Sequence, residues 1–194
     1  MPDRIKKKSG SVCLLTLFLY FSFTGMAYAK TDRPAPWVTI ETKYTIIRFF
    51  KAEDLDAFSN SIDFDPKSWA LNKLFSDKRP DTIHEEISAK VDNLYERVQE
   101  ILDMRKKSPK VFITIYPDRK ALDQAYFAIY QSENNIRAWY IFDSNTIYIN
   151  INDVHEGMLA HEMAHSIIDH FLLVRPPAAS AEILARFVDA HIHR

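Results

Sequence analysis

Residues 146–168 read TIYININDVHEGMLAHEMAHSII and join a short β-rich run to a longer apolar one. The β-branched and aromatic residues of Thr146–Asn150 predict a strand. From about Asp153 the apolar residues recur at helical spacing, which predicts a helix that ends before Pro176 and Pro177. Asp153 and Glu156 have the spacing of a capping box. The apolar positions of this helix are Val154, Met158, Leu159, Met163, Ile167 and Ile168.

The predicted helix carries the pattern H-E-x-x-H at His161, Glu162 and His165. Positions i and i+4 lie on the same face of a helix, so both imidazoles can point at one metal ion. Zinc lowers the pKa of its bound water from near 16 to ~7, and a nearby carboxylate can accept the proton as that water attacks a carbonyl. The pattern therefore indicates zinc-dependent hydrolysis with Glu162 as the general base. A surface helix with two solvated histidines is the alternative, which the apolar surroundings disfavour.

A catalytic zinc ion usually has three protein ligands and an open fourth position. The metzincin pattern requires Gly and His where this chain has Ile168 and Phe171, so that source of a third ligand is excluded. Glu182 is the preferred candidate, because a turn at the two prolines followed by an antiparallel helix would bring it over the histidines. His191 and His193, which form an H-x-H pattern, are the alternative source.

The order of the remaining elements predicts an α+β fold with a small mixed sheet. Asp118 has the position of a helix cap, and residues 143–145 have the composition of a turn. The predicted elements are a strand over 38–50, helices over 52–61 and 83–104, a strand over 111–116, a helix from 118 to about 130, one or two strands within 137–150, and a last helix from about 180.

Residues 159–165 and 180–188 resemble the gluzincins, the thermolysin-like clan of zinc peptidases. The resemblance covers about residues 111–194 and implies a zincin-like fold, with an edge strand before the H-E-x-x-H helix and a following helix that carries a glutamate ligand. It implies one zinc ion per chain, held by His161, His165 and Glu182, and Glu162 as the base. The edge strand of the clan pairs with an extended substrate.

The chain departs from the clan at two places. Gly often follows the ligand glutamate in the clan, and here the residue is Ile183. Larger relatives carry a downstream Tyr or His that stabilises the oxyanion, whereas this sequence ends twelve residues after Glu182. Tyr140 or Tyr148 is therefore the candidate for this role and for substrate binding.

A carboxylate that accepts a hydrogen bond from the second ring nitrogen of a zinc-bound histidine often orients that ligand. Asp189, on the last helix, is one candidate for this orienting group. Asp169, at position i+4 from His165, is the other.

The N-terminus predicts a secretory signal peptide over residues 1–29. Four basic residues among the first eight precede the apolar run 12–23, and Ala27-Tyr28-Ala29 is a typical cleavage site. An uncleaved anchor is the alternative, although the run is short for a membrane span. Residues 30–194 would then be a single exported domain, periplasmic or secreted, without a stable membrane span. Losing Arg4, Lys6, Lys7 and Lys8 together with Asp3 would change the formal net charge from −1 to −4.

Composition excludes several other chemistries. Cys13, the only cysteine, would leave with the signal peptide, so a metal must be held by His, Asp or Glu. Gly157 is the only glycine after residue 29, which excludes a glycine-rich phosphate loop. A near-neutral charge without a basic stripe argues against nucleic-acid binding.

These observations favour an exported zinc metallopeptidase that acts on peptide or protein substrates. A catalytically weak or inactive zinc-binding regulatory module of the envelope, on the same scaffold, is the main alternative. A metal-free interaction domain in which H-E-x-x-H arose by chance is the third interpretation.

Overall fold

The computed structural model describes residues 37–62, 64 and 81–193, and the predicted signal peptide lies outside them. This part of the chain has an α+β fold with one mixed five-stranded sheet and five helices. The strands are β1 (Val38–Glu41), β2 (Thr45–Phe49), β3 (Val111–Tyr116), β4 (Ala138–Ile141) and β5 (Thr146–Asn150). The helices are α1 (Asp54–Ser61), α2 (Ile83–Leu102), α3 (Arg119–Tyr130), α4 (Glu156–Phe171) and α5 (Ala178–His191).

The sheet has the strand order β1-β2-β3-β5-β4. Its three inner strands, β2, β3 and β5, are parallel, and the outer strands β1 and β4 are antiparallel to their neighbours. The inner strands are connected through helices, as parallel strands require. The antiparallel pairs are tight hairpins, and the β4–β5 turn is closed by the Asn145 N–H donating to the Phe142 carbonyl at 2.9 Å.

The main core lies between the sheet and helices α1, α2, α4 and α5. Ile113, Ile147 and Ile149 of the sheet are fully buried in it, because alternate residues of a strand point to the same face. The amphipathic helix α2 adds a row of buried residues at helical spacing. Helix α3 lies outside this core cluster, and its Tyr126 packs against Trp139 of β4. The buried residues of α2 in the core are Ile87, Val91, Leu94, Tyr95 and Val98.

Three sequence predictions need correction. The strand predicted over residues 38–50 is a hairpin, since Asp92 of α2 accepts hydrogen bonds from Thr42 Oγ1 and the Lys43 N–H and so holds the turn. The predicted capping box is absent, because His155 caps α4 and its Nδ1 accepts from the Met158 N–H at 3.3 Å. The strand directly before α4, β5, is an inner strand, and the edge strand on that side is β4.

No helix among the described residues is both long enough and apolar enough to cross a membrane. The longest of them, α2, carries a charged or polar residue at most of its outward positions.

Candidate metal centre

Helix α4 presents His161 and His165 at the edge of the core. The helix forms here because its apolar residues cover the sheet on one side, while the two histidines occupy the neighbouring face one turn apart. Their ring centroids are 5.0 Å apart. Both side chains are half-buried, so the ring nitrogens remain reachable from outside. The buried residues of α4 that fix it against the core are Leu159, Ala160, Met163, Ala164, Ile167 and Ile168.

A hydrogen-bond network under α4 sets the position of the second histidine. Ser166, the residue after His165, donates through its Oγ to Asn145 Oδ1 at 2.7 Å. Asn145 has a positive φ of 45° in the β4–β5 turn and donates through its amide to the Lys110 carbonyl at 3.1 Å. Asparagine tolerates this left-handed conformation better than most residues. The network therefore ties the turn of α4 that carries His165 to the sheet.

Helix α5 brings the third group to the histidines. After the prolines the chain reverses, and α5 packs against α4 through the small residues Ala181 and Ala185, which are buried. Small side chains allow two helix axes to approach closely. Glu182 lies beside Ala181 on this face, and its Oε2 is 3.5 Å from His161 Nε2 and 3.5 Å from His165 Nε2.

These three side chains fit the requirements of a zinc site. Candidate ligand atoms of His161, His165 and Glu182 all lie within 4.8 Å of one another. With metal–ligand bonds of about 2.0–2.2 Å, the ligand atoms around tetrahedral zinc are roughly 3.3–3.5 Å apart, so both histidine–glutamate separations match. Two imidazoles and one carboxylate also form a donor set that zinc accepts in catalytic sites.

Arg186 orients the glutamate. Its Nε donates to Glu182 Oε1 at 2.7 Å, one turn further along α5, and leaves Oε2 directed at the histidines. Partial burial opposes ionisation of Glu182, but Arg186 and the two histidines outweigh it and lower the pKa below 4.5. Glu182 is therefore anionic at neutral pH, as a carboxylate ligand must be.

The electrostatics also favour a neutral imidazole at His165. Burial, followed by the neighbouring His161, lowers the pKa of His165 below 6.5. A neutral imidazole has a free lone pair, which is the form that binds a metal.

Glu162 lies next to the candidate ligands and is nearly buried, with 8 % of its surface exposed. Burial, together with the charge of Glu182, raises the pKa of Glu162 to about 7. A carboxyl group with a pKa near the operating pH can both accept and return a proton. Its environment therefore suits the role of general base.

A cleft of about 640 Å³ opens beside these groups. Glu162, His165 and Glu182 form one side of it, and Trp139 and Tyr140 of the edge strand β4 border it as well. Two of the three candidate ligands, His165 and Glu182, thus share one opening with the candidate base and with an edge strand of the described sheet.

The two candidate tyrosines have different locations. Tyr140 borders the cleft and its ring lies parallel to that of His165, with 6.5 Å between centroids. Its hydroxyl donates to Asn145 Oδ1 at 3.1 Å, while burial and then the charge of Asp169 raise its pKa, so the phenol stays protonated. Tyr148 lies on the opposite face of the sheet, stacked on Trp139 at 4.8 Å, and is separate from the cleft.

Neither predicted orienting carboxylate contacts the second ring nitrogen of a ligand histidine. Asp189 lies beside Gly157, one turn before His161, and a Cβ at that glycine would clash with Asp189 Oδ1. Asp169 is buried in the wall of the cleft and accepts from Arg175 Nε at 3.1 Å. The alternative third ligands lie away from the cluster: His191 stacks on Phe187, and His193 lies 6.4 Å from Phe64.

Sequence reasoning missed Arg175 as a residue of the cleft. The arginine follows α4, borders the cleft next to Pro176 and places its guanidinium over the Phe142 ring at 4.7 Å. An exposed arginine beside two prolines carries no sequence signal of this role. Its place in the wall of the cleft becomes apparent only from the folded structure, through the ion pair with the buried Asp169.

Comparison with protein-family models, with curated proteins and with solved structures finds no match to this chain. The candidate metal centre is therefore defined only by the geometry of the described residues.

The raised pKa of Glu162 predicts how pH affects the metal-free protein. Because the Glu162 carboxyl ionises less readily in the folded than in the unfolded protein, its ionisation lowers the free energy of unfolding. This destabilisation is absent below pH 4.5 and complete above pH 7. Relative to wild type, metal-free Glu162→Gln should therefore gain stability on the order of 2 kcal/mol between pH 5 and pH 8. Urea unfolding in the presence of EDTA measures this difference. A stability difference that does not change with pH would contradict the assigned environment.

Proposed function

We propose that this chain is an exported zinc-dependent peptidase that hydrolyses peptide bonds in its α4–α5 cleft. One observation carries the proposal: Glu182, seventeen residues beyond His165, lies 3.5 Å from the metal-facing nitrogen of both motif histidines. The spacing of H-E-x-x-H arises by chance in some chains, but convergence of a distant carboxylate on the same point requires the two helices to pack in one particular way.

Each group in the cleft has a distinct role in the proposed reaction. A bound zinc ion would supply Lewis-acid polarisation of the scissile carbonyl and a water of lowered pKa. His161, His165 and Glu182 hold the ion. Glu162 accepts the proton of the attacking water and returns it to the leaving amine, which its raised pKa favours.

The edge strand β4 provides a place for the substrate. Among the described residues its only partner in the sheet is β5, and no described strand occupies its outer side, where an extended peptide could pair with the main chain. Trp139 and Tyr140 of the same strand border the cleft. A peptide added to β4 would therefore pass the candidate base and ligands.

A zinc-binding module without efficient turnover is the second candidate. The hydroxyl of Tyr140 is committed to Asn145, and Tyr148 is on the other face of the sheet, so neither predicted oxyanion donor is free in the cleft. The same scaffold would then bind zinc and peptide without rapid cleavage.

Digestion of a peptide library, read by mass spectrometry, distinguishes these candidates. We expect cleavage at defined sites. The chelator 1,10-phenanthroline should abolish this cleavage, its non-chelating 1,7 isomer should not affect it, and added zinc should restore it. Stoichiometric zinc without any cleavage would favour the binding module. Absence of stoichiometric zinc would favour the metal-free interaction domain.

A further inference from the structure

The loop between α4 and α5 exposes three consecutive apolar residues. Leu172, Leu173 and Val174 have 36 %, 99 % and 81 % of their surfaces exposed. Single exposed apolar residues are common on soluble proteins, but a run at the tip of a loop is a signature of contact with another apolar phase.

Basic residues surround this loop. Arg105, Lys106 and Lys107 follow the end of α2 and are exposed, and Lys106 Nζ lies 3.5 Å from both the His170 and Phe171 carbonyls at the end of α4. Arg175 follows the apolar run directly. The segment after α2 and the end of α4 therefore meet, which places the cations beside the apolar loop.

Two lysines supply the uncompensated positive charge beside this loop. The acidic neighbours are Glu96, which interacts with Arg105, the exposed Asp103 and Asp143, and Asp169, which is paired with Arg175. Lys106 and Lys107 have no ion pair with a carboxylate among the described residues, so their charges remain available next to the apolar run. Such an arrangement gives the loop a local positive potential and an orientation in the field of an anionic surface.

We propose that this docking tip, residues 172–174 with Arg105, Lys106, Lys107 and Arg175, inserts into the surface of an anionic lipid membrane. Apolar side chains enter the boundary between headgroups and acyl chains, while lysines and arginines pair with anionic headgroups. A protein partner of ordinary interface size would need a broad complementary face. A narrow apolar tip surrounded by cations fits a fluid anionic surface better.

The docking tip adjoins the cleft, because Arg175 and Pro176 belong to its wall. If the proposed peptidase function holds, and this consequence rests on it, the cleft would open next to the bilayer and act on peptide segments close to the membrane. The membrane contact itself does not depend on zinc or catalysis.

A fluorescent probe at position 173 tests the docking tip in the full chain. Cys13 is the only cysteine, so Cys13→Ser with Leu173→Cys gives one site for an environment-sensitive dye. With equimolar phosphatidylglycerol and phosphatidylcholine vesicles we expect a blue shift and quenching by brominated acyl chains. Phosphatidylcholine vesicles alone should give little of either. Because the probe reports its own position, an N-terminal segment that binds membranes does not mimic this result.

The matched control is the probe at Asn60→Cys, which is exposed on α1. The preceding Ser59 is hydrogen-bonded to Glu86 and Lys90 of α2, which fixes the place of the control probe along that helix. Twelve residues of α2 separate Lys90 from the helix end near the docking tip, a distance of about 18 Å at 1.5 Å per residue. This position should show no shift with either vesicle. Arg105→Gln with Lys107→Gln should weaken the response at position 173 about 10- to 30-fold, at about 5-fold for each cation.

Three outcomes would overturn the membrane proposal. They are no response at position 173, an equal response to neutral and anionic vesicles, and a concentration-dependent blue shift without vesicles, which would show that a second copy covers the tip. Adding Glu162→Gln should leave the vesicle response unchanged. Failure of the membrane proposal is thereby distinguishable from failure of the peptidase proposal.

Discussion

Glu162→Gln is expected to abolish peptide cleavage while about one zinc ion per chain remains bound. Glutamine keeps the size of the side chain but cannot accept a proton from water. Loss of a positioned general base typically costs 10²- to 10⁴-fold in rate, so we expect kcat to fall by about that factor. The rate is measured on a peptide from the library digest, and zinc by elemental analysis of the same sample.

The matched control for this prediction is Glu133→Gln, the same change at an exposed position of the loop after α3. It should cleave and bind zinc like wild type. Cleavage by Glu162→Gln at the wild-type rate would show that another group is the base. Loss of both zinc and cleavage would show that Glu162 supports the metal site itself.

His165→Ala is expected to weaken zinc binding by at least about 100-fold, because two of three protein ligands cannot complete the site. The added stability that zinc gives the fold should disappear with it. A ligand present at 1,000 times its Kd stabilises the folded state by about 4 kcal/mol. Competition with a chromophoric chelator measures the affinity, and urea unfolding with and without zinc measures the stability.

His170→Ala is the control on the same helix, since His170 bonds through Nδ1 to the Ser166 carbonyl and lies outside the ligand cluster. It should keep zinc. The third ligand is tested in parallel, with Glu182→Ala compared against His191→Ala and His193→Ala. If a histidine of the C-terminal pair, rather than Glu182, controls zinc affinity, the arrangement of the cluster described above is wrong.

The sequence predicted the parts of the site that depend on local geometry. His161 and His165 are one helical turn apart, and the apolar pattern around them specifies the helix and its buried side. The cap at Asp118 was likewise predictable, and its side chain accepts from the Ala121 N–H at 2.8 Å. Such features need only the residues of one element.

Glu182 was predictable because several constraints act together. The two prolines exclude one continuous helix, Pro177 is the N-cap of α5, and small residues on the inner face of α5 permit close packing. In the fold Glu182 lies at the two histidines, and its role as a zinc ligand stays a prediction.

The remaining differences arise from contacts between elements that are distant in sequence. Asp92 of α2 stabilises the turn that splits residues 38–50 into a hairpin, and no local pattern in that run reveals it. The face of Tyr148 depends on strand register, in which a shift of one residue moves a side chain to the other side of the sheet. Arg175 enters the cleft only because Asp169 and Phe142 hold it there.

Zinc-edge anomalous diffraction from crystals grown with one equivalent of zinc tests the proposed metal centre most directly. We expect a single peak per chain, about 2.0–2.2 Å from a ring nitrogen of His161, a ring nitrogen of His165 and a carboxylate oxygen of Glu182. The absence of a peak at this position, or a peak that leaves Glu182 out of the coordination sphere, would contradict the convergence on which the proposed function depends.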